Sequence, residues 1–226
     1  MPLQTIKHIH SLTGLRGLAA LIVFISHAAN FSLLPIVLGY GFGQLGVMLF
    51  FLLSGFLMAH LYISEDFNCR NVKKFAVARA ARVLPLYFLI IFISMVITQY
   101  IDHAFSYNFS LDNTGALLPA VLLAYAPDIL WTIPVEIQFY MLFIGIWYLH
   151  KKNAGTYTIA AYALITMIPS IYVYFVSRFI PPFVSSYSYA FFFGVATSLS
   201  HSRIKKMIGH KDKLSLYAGV VLFFSV

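Results

Sequence analysis

The sequence is poor in charge. Only 10% of its 226 residues are Asp, Glu, Lys or Arg, against about a quarter in soluble domains, while 61% are hydrophobic and the mean hydropathy is +0.85. That balance excludes an ordinary water-soluble globule and fits a protein that crosses a membrane several times. Cysteine is scarcer still: the single Cys69 allows no internal disulfide. The first residues, "MPLQTIKHIHSLTG", lack the short apolar core and small-residue cleavage site of a signal peptide, so the first span is expected to be retained. Alternating apolar segments of about ten residues are also missing, which excludes a membrane β-barrel. Internal repeats and low-complexity segments are absent as well.

What is present is a series of long apolar runs. A helix needs roughly 20 mostly apolar residues to cross a bilayer, and such runs fall at about 12–34, 42–62, 83–101, 129–149, 156–176 and 184–200. A seventh begins at Leu214 but supplies only 13 residues before Val226. The expected fold is therefore all-α, a multi-span transmembrane helical bundle of about six complete spans plus an incomplete seventh. One membrane domain, 1–226, suffices, and it reads as truncated at its C-terminus.

The basic residues orient the bundle. Fifteen Lys and Arg against seven Asp and Glu leave a net charge of +8, a balance that nucleic-acid binders share. Here, however, Lys7, the run Arg70 to Arg82, Lys151 with Lys152, and the run Arg203 to Lys213 alternate with neutral or acidic loops. Thirteen of the fifteen fall on one side, leaving Arg16 inside a span and Arg178 opposite. The positive-inside rule accounts for this pattern with the N-terminus in the cytoplasm, and the charge lacks a fold motif to present it to nucleic acid. The stretch 116–127, "ALLPAVLLAYAP", is too short to cross and is expected to form an outer interfacial or re-entrant helix.

Polar residues inside apolar spans carry a cost and call for a partner or a role. Arg16 and His27 stand 11 residues apart in the first span, about three turns or roughly 16 Å, and so share a face. Arg16 near the inner end can also snorkel to the interface, and His27 can serve as a hydrogen-bonded structural histidine between helices. Glu136 lies seven residues after the start of the fourth span, as His27 lies seven before the outer end of the first. Both are thus expected about 10 Å below the outer boundary. A carboxylate that fixes an imidazole's tautomer and raises its basicity is a recurrent arrangement for general-base catalysis; a buried structural pair would look the same.

In "FAVARAARVLPLY", Arg79 and Arg82 stand at i and i+3 on one helical face, an arrangement suited to phosphate and also explained by anionic headgroups or topology. Ser54 and Gly55, in "GVMLFFLLSGFLM", most simply permit close helix packing. Ser54 as a nucleophile is the weaker reading, because no base is adjacent and the stretch is not a strand-to-helix elbow.

Taken in order and spacing, "GLRGLAALIVFISH", "GVMLFFLLSGFLM", "FAVARAARVLPLY" and "LWTIPVEIQFY" resemble the motifs of the integral membrane acyltransferase family 3, which includes bacterial O-antigen and other polysaccharide O-acetyltransferases. The resemblance covers roughly residues 10–145, and the remainder only through span layout. It implies transfer of an acyl group, commonly acetyl, from cytoplasmic acyl-coenzyme A to a sugar hydroxyl of a carbohydrate or lipid-linked glycan, in the cell (inner or plasma) membrane. By position it implies that His27 is the family's essential histidine and Arg16 the arginine 11 residues before it. Arg79 and Arg82 become contacts to the coenzyme A phosphates, Glu136 the glutamate of a Val-Glu-x-x-Phe-Tyr motif, and Ser54 and Gly55 members of a Phe-Phe-x-x-Ser-Gly motif. No permanently bound cofactor or metal is implied; acyl-coenzyme A is the donor substrate.

Departures from the family pattern fall at Thr13 and Met48, where an acidic residue is common, and at Ile137, where a second glutamate is frequent. Glu136 is left as the only carboxylate in any span. Family members usually have about ten spans, so an inactive fragment is one alternative. A proton-coupled transporter using His27 and Glu136 is another, although no pair of Gly/Pro-broken spans recurs in two related halves.

Overall fold

A computed structural model describes residues 10–100, 114–124, 126, 128–154, 160–166, 168, 172 and 184–208. These residues form α-helices and short 3-10 turns, and no strand occurs among them. The helices are α1 (His10–Asn30), α2 (Phe42–Tyr62), α3 (Cys69–Tyr100), α4 (Thr114–Val121), α5 (Thr132–Lys151) and α6 (Val184–Ile208), with 3-10 turns at Ile36–Leu38 and Asp128–Trp131. Four segments are long and apolar enough to cross a membrane: Leu12–Asn30, Ile36–Tyr62, Cys69–Val96 and Thr132–Lys151.

The spans expected at 12–34, 42–62, 83–101 and 129–149 hold in kind and shift at their ends, whereas the one expected at 184–200 lies in α6, a helix that is not among the membrane-length apolar segments of the described residues. The first helix stops at Asn30 rather than 34 because the chain turns left-handed at Ser32, φ 61°. There the amide of Leu33 donates to Ala28 and that of Ser32 to Ala29, a Schellman cap that closes the last open carbonyls. The same motif ends α4 at Leu123 (φ 57°) and α5 at Asn153 (φ 53°). Glycine is the usual residue there, and a leucine at positive φ costs about 1–2 kcal/mol. The expected span at 156–176 is helical over 160–166 and at 168 and 172, and otherwise lies outside the described residues, as does the stretch from Leu214.

The larger correction concerns the basic run Arg70 to Arg82. The third helix does not begin at 83: α3 starts at Cys69 and continues unbroken for 32 residues, taking in the whole run, about 48 Å. Asn68 caps it, its side-chain oxygen accepting the Asn71 amide at 2.9 Å, a contact worth about 1 kcal/mol. Ala, Arg and Lys are favourable in a helix, and no Gly or Pro interrupts until Pro85. Proline has no amide for the carbonyl four residues back, here Ala81. In α5, by contrast, Pro134 sits in the first turn, where no helical donor is needed.

Residues Met1–Leu57 with Phe193–Val226 form one compact unit, and Met58–Phe192 a second. In the first, Leu12 and Ala19 of α1 pack with Leu49, Leu53 and Phe56 of α2. The helices approach closely because glycines face them: a Cβ on Gly46 would lie 2.6 Å from the Ala19 carbonyl oxygen, and one on Gly43 3.0 Å from Ser26. Small residues at such contacts are how apolar helices associate in lipid. On α6, Gly194 stands against the backbone of α2 at Leu52 and Phe56, leaving no room for a side chain. The half-buried Ser54 and the buried Gly55 lie within that stretch of α2.

In the second unit, Tyr87 and Ile91 of α3, Ala120 of α4, Ala126 and Leu130 form an apolar cluster. Its connections are polar: the Tyr87 hydroxyl donates to the Ala120 carbonyl at 2.8 Å, and the Gln138 amide nitrogen to Ala124 at 3.1 Å. Helix α4 has eight residues, about 12 Å, too short to cross.

Candidate active site

Arg79 occupies a position that helix periodicity gives to the core. Phe75, Arg79, Tyr87 and Ile91 are the buried residues of one α3 stripe, spaced as a 3.6-residue period requires. Arg79 is 6% exposed. Its guanidinium lies 5.4 Å from the centre of the Tyr62 ring, within cation–π range, and its Nε has no hydrogen-bond partner. Arg82, one turn further, is exposed. The pair expected to act alike is thus divided between interior and surface.

Aromatic rings cluster around Phe75, one turn before this arginine. Tyr62 meets Phe75 edge-on at 4.9 Å, and Phe75 meets Tyr140 at 6.0 Å, Phe143 at 5.6 Å and Trp147 at 6.3 Å. Tyr140, Phe143 and Trp147 project from one face of α5, at four-, seven- and eleven-residue spacing from Glu136. The far end of α5 is tied down as well. The Trp147 indole donates to the Glu65 carbonyl at 2.9 Å and the Lys151 ammonium to Ser64 at 2.7 Å, which satisfies carbonyls in the turn between α2 and α3.

Glu136 is half-buried in the second turn of α5, four residues after its start. Its Oε1 accepts the Tyr140 hydroxyl at 2.6 Å, and the charges of Arg79 and Arg82 both act on that hydroxyl. One unit therefore holds Glu136, Tyr140, Arg79 and Arg82. Tyr140 and Tyr62 were not among the expected site residues. The signal for Tyr140 was its place four residues after Glu136, where helix side chains meet.

Arg16 and His27 belong to the other unit, both on α1. Arg16 is half-buried and His27 exposed. Their stripe lies roughly 70° around the helix from the buried one through Leu12, Ala19 and Ser26. His27 falls three residues from the end of its helix, about 5 Å along the axis, and Glu136 about 6 Å from the start of α5. Each is nearer its helix end than the expected 10 Å, because α1 ends earlier and α5 starts later than hydropathy alone indicates.

A family model described as an acyltransferase domain matches residues 9–226. The chain is similar to nodulation protein 10 of Rhizobium leguminosarum bv. viciae, with 27% identity over 239 aligned residues that cover 90% of this chain and 63% of that protein. It is also similar to an O-acetyl transferase of Shigella phage Sf6, with 25% identity over 170 residues covering 67% of this chain and 50% of that protein. The chain thus spans between half and just under two thirds of the length of these relatives. No solved structure matches it.

Proposed function

The chain belongs to the acyltransferase family that its sequence resembles, and we propose that it moves an acyl group, acetyl in the simplest case, from cytoplasmic acyl-coenzyme A to a hydroxyl of a cell-surface carbohydrate or lipid-linked glycan. The observation that carries this reading is the Glu136 carboxylate, held by the Tyr140 hydroxyl at 2.6 Å within a membrane-length apolar helix. A carboxylate inside an apolar span points to function more than to packing, and the similarity to an O-acetyl transferase of a phage supports O-acyl transfer.

In this reading the guanidinium of exposed Arg82 meets the donor phosphates from the surface, with the charge of Arg79 behind it and Arg16 contributing from α1. His27 is the general base, and Glu136 is the carboxylate that serves the same transfer. The imidazole takes the proton of the acceptor hydroxyl, the oxygen attacks the thioester carbon, and the carbon–sulfur bond breaks. The proton then passes from the imidazolium to the departing thiolate. A two-step route through an acylated His27 balances equally. Ser54 and Gly55 serve packing. The excess of basic residues on one side supports multiple crossings of the cell's inner or plasma membrane with the N-terminus in the cytoplasm.

The test is incubation of membranes carrying the protein with radiolabelled acetyl-coenzyme A, followed by recovery of label in glycan. Transfer by the wild type and its loss in His27→Ala are expected. Equal transfer by both would remove His27 from the mechanism. A wild type that moves no label, while supporting a proton-driven flux that His27→Ala abolishes, would replace acyl transfer with transport.

A further inference from the structure

The roles above leave Tyr140 without one, although its hydroxyl is bonded to the Glu136 carboxylate. It is 6% exposed, and a buried hydroxyl costs free energy unless it is bonded. Phenylalanine would satisfy the edge contact with Phe75 at 6.0 Å without that cost. The hydroxyl donates to Glu136 Oε1 at 2.6 Å, the length of a charge-assisted O–H···O⁻ bond. Donor and acceptor are one helical turn apart on α5, so the hold on the carboxylate comes from its own helix. The ring itself has little freedom, packed against Phe75 on α3. The guanidinium of Arg79, fixed over Tyr62 and buried, acts on the same hydroxyl from α3.

We propose that Tyr140 is a positioning residue, whose hydroxyl holds the Glu136 carboxylate in the rotamer from which it serves acyl transfer. The assignment rests on the role given to Glu136 above. A glutamate side chain rotates about three bonds, and catalysis loses rate steeply when a working group is misplaced by about 1 Å. A donor one turn away, anchored by packing, removes that freedom without touching donor or acceptor substrate.

The experiment compares label transfer from acetyl-coenzyme A by wild type, Tyr140→Phe, Glu136→Gln and the double variant in membranes. Protein amount and thermal unfolding in detergent are measured for each. Tyr140→Phe is expected to lower kcat roughly 10- to 100-fold with KM for acetyl-coenzyme A within about twofold, since a positioning residue acts on the transition state rather than on donor binding. The double variant should be no slower than Glu136→Gln alone, because a residue that works through Glu136 has nothing left to position. Wild-type kcat in Tyr140→Phe, or losses that multiply in the double variant, would overturn the proposal while leaving acyl transfer standing. A wild type without transfer would overturn the functional reading and this one with it. Should Tyr140→Phe fail to accumulate, Glu136→Asp makes the same test. It draws the carboxylate back by one methylene, and full activity in that variant would refute the need for the 2.6 Å contact.

Discussion

The hydroxyl of Tyr87 on α3 donates to the carbonyl of Ala120 on α4 at 2.8 Å, joining positions 33 residues apart. The same carbonyl accepts the Leu123 amide at 3.0 Å, so one atom closes α4 and fastens it to α3. Tyr87→Phe keeps the ring in the apolar cluster and removes only this bond. It should destabilise the protein by about 1 kcal/mol, read as a lower unfolding temperature in detergent, and leave the KM for the acyl donor unchanged.

Arg79 and Arg82 should separate under mutation. Arg82→Ala removes an exposed cation, so stability should move by no more than about 0.5 kcal/mol. The KM for acetyl-coenzyme A should rise about tenfold, the worth of a lost charge-assisted bond. Arg79→Met fills a similar volume without the buried, unpartnered Nε. Replacing buried charge by a packed apolar side chain is often neutral or stabilising, so this variant should unfold at the wild-type temperature or above it while losing transfer. Paired unfolding and label-transfer measurements on the two variants check both statements.

His27→Ala should abolish transfer with almost no change in stability. The side chain is exposed, within the last turn of α1, and surface substitutions away from caps or cores shift stability within about 0.5 kcal/mol. Equal expression and unfolding temperature with lost transfer is the expected result. A collapse in stability would mark His27 as a packing residue.

Gly194→Val should be among the most damaging single changes in the described residues. A Cβ there meets the Leu52 carbonyl and the Phe56 amide, backbone atoms that cannot rotate away. Overpacking of this kind costs about 1–3 kcal/mol. A matched Gly14→Val variant, at a site with open space, should be tolerated. Yield and unfolding temperature of the two proteins report the difference.

Apolar run length was enough to read α1, α2 and α5, because in a bilayer the backbone bonds internally and burial in lipid decides the rest. Charge was the misleading signal at α3. The run from Arg70 to Arg82 reads as a loop on hydropathy, yet Asn68 caps it and its residues favour helix, so the true start was written in capping and propensity. The division between Arg79 and Arg82 was hidden for a related reason. Sequence places both on one face, but only the rings of Tyr62 and Phe75 show that one of them lies inside. Glu136 was legible as an ionisable group in an apolar span, whereas Tyr140 stood in the same Val-Glu-x-x-Phe-Tyr motif without a role, because sequence does not show its hydroxyl reaching the carboxylate.

Helix α3 has a mechanical consequence through its length. At about 48 Å it exceeds the roughly 30 Å hydrocarbon layer, and no loop separates its apolar part from its cationic pair. Thickening or thinning the lipid tilts such a helix, and Arg79 and Arg82 tilt with it. The depth at which this cationic pair sits is therefore set partly by the lipids around the protein, through one continuous helix.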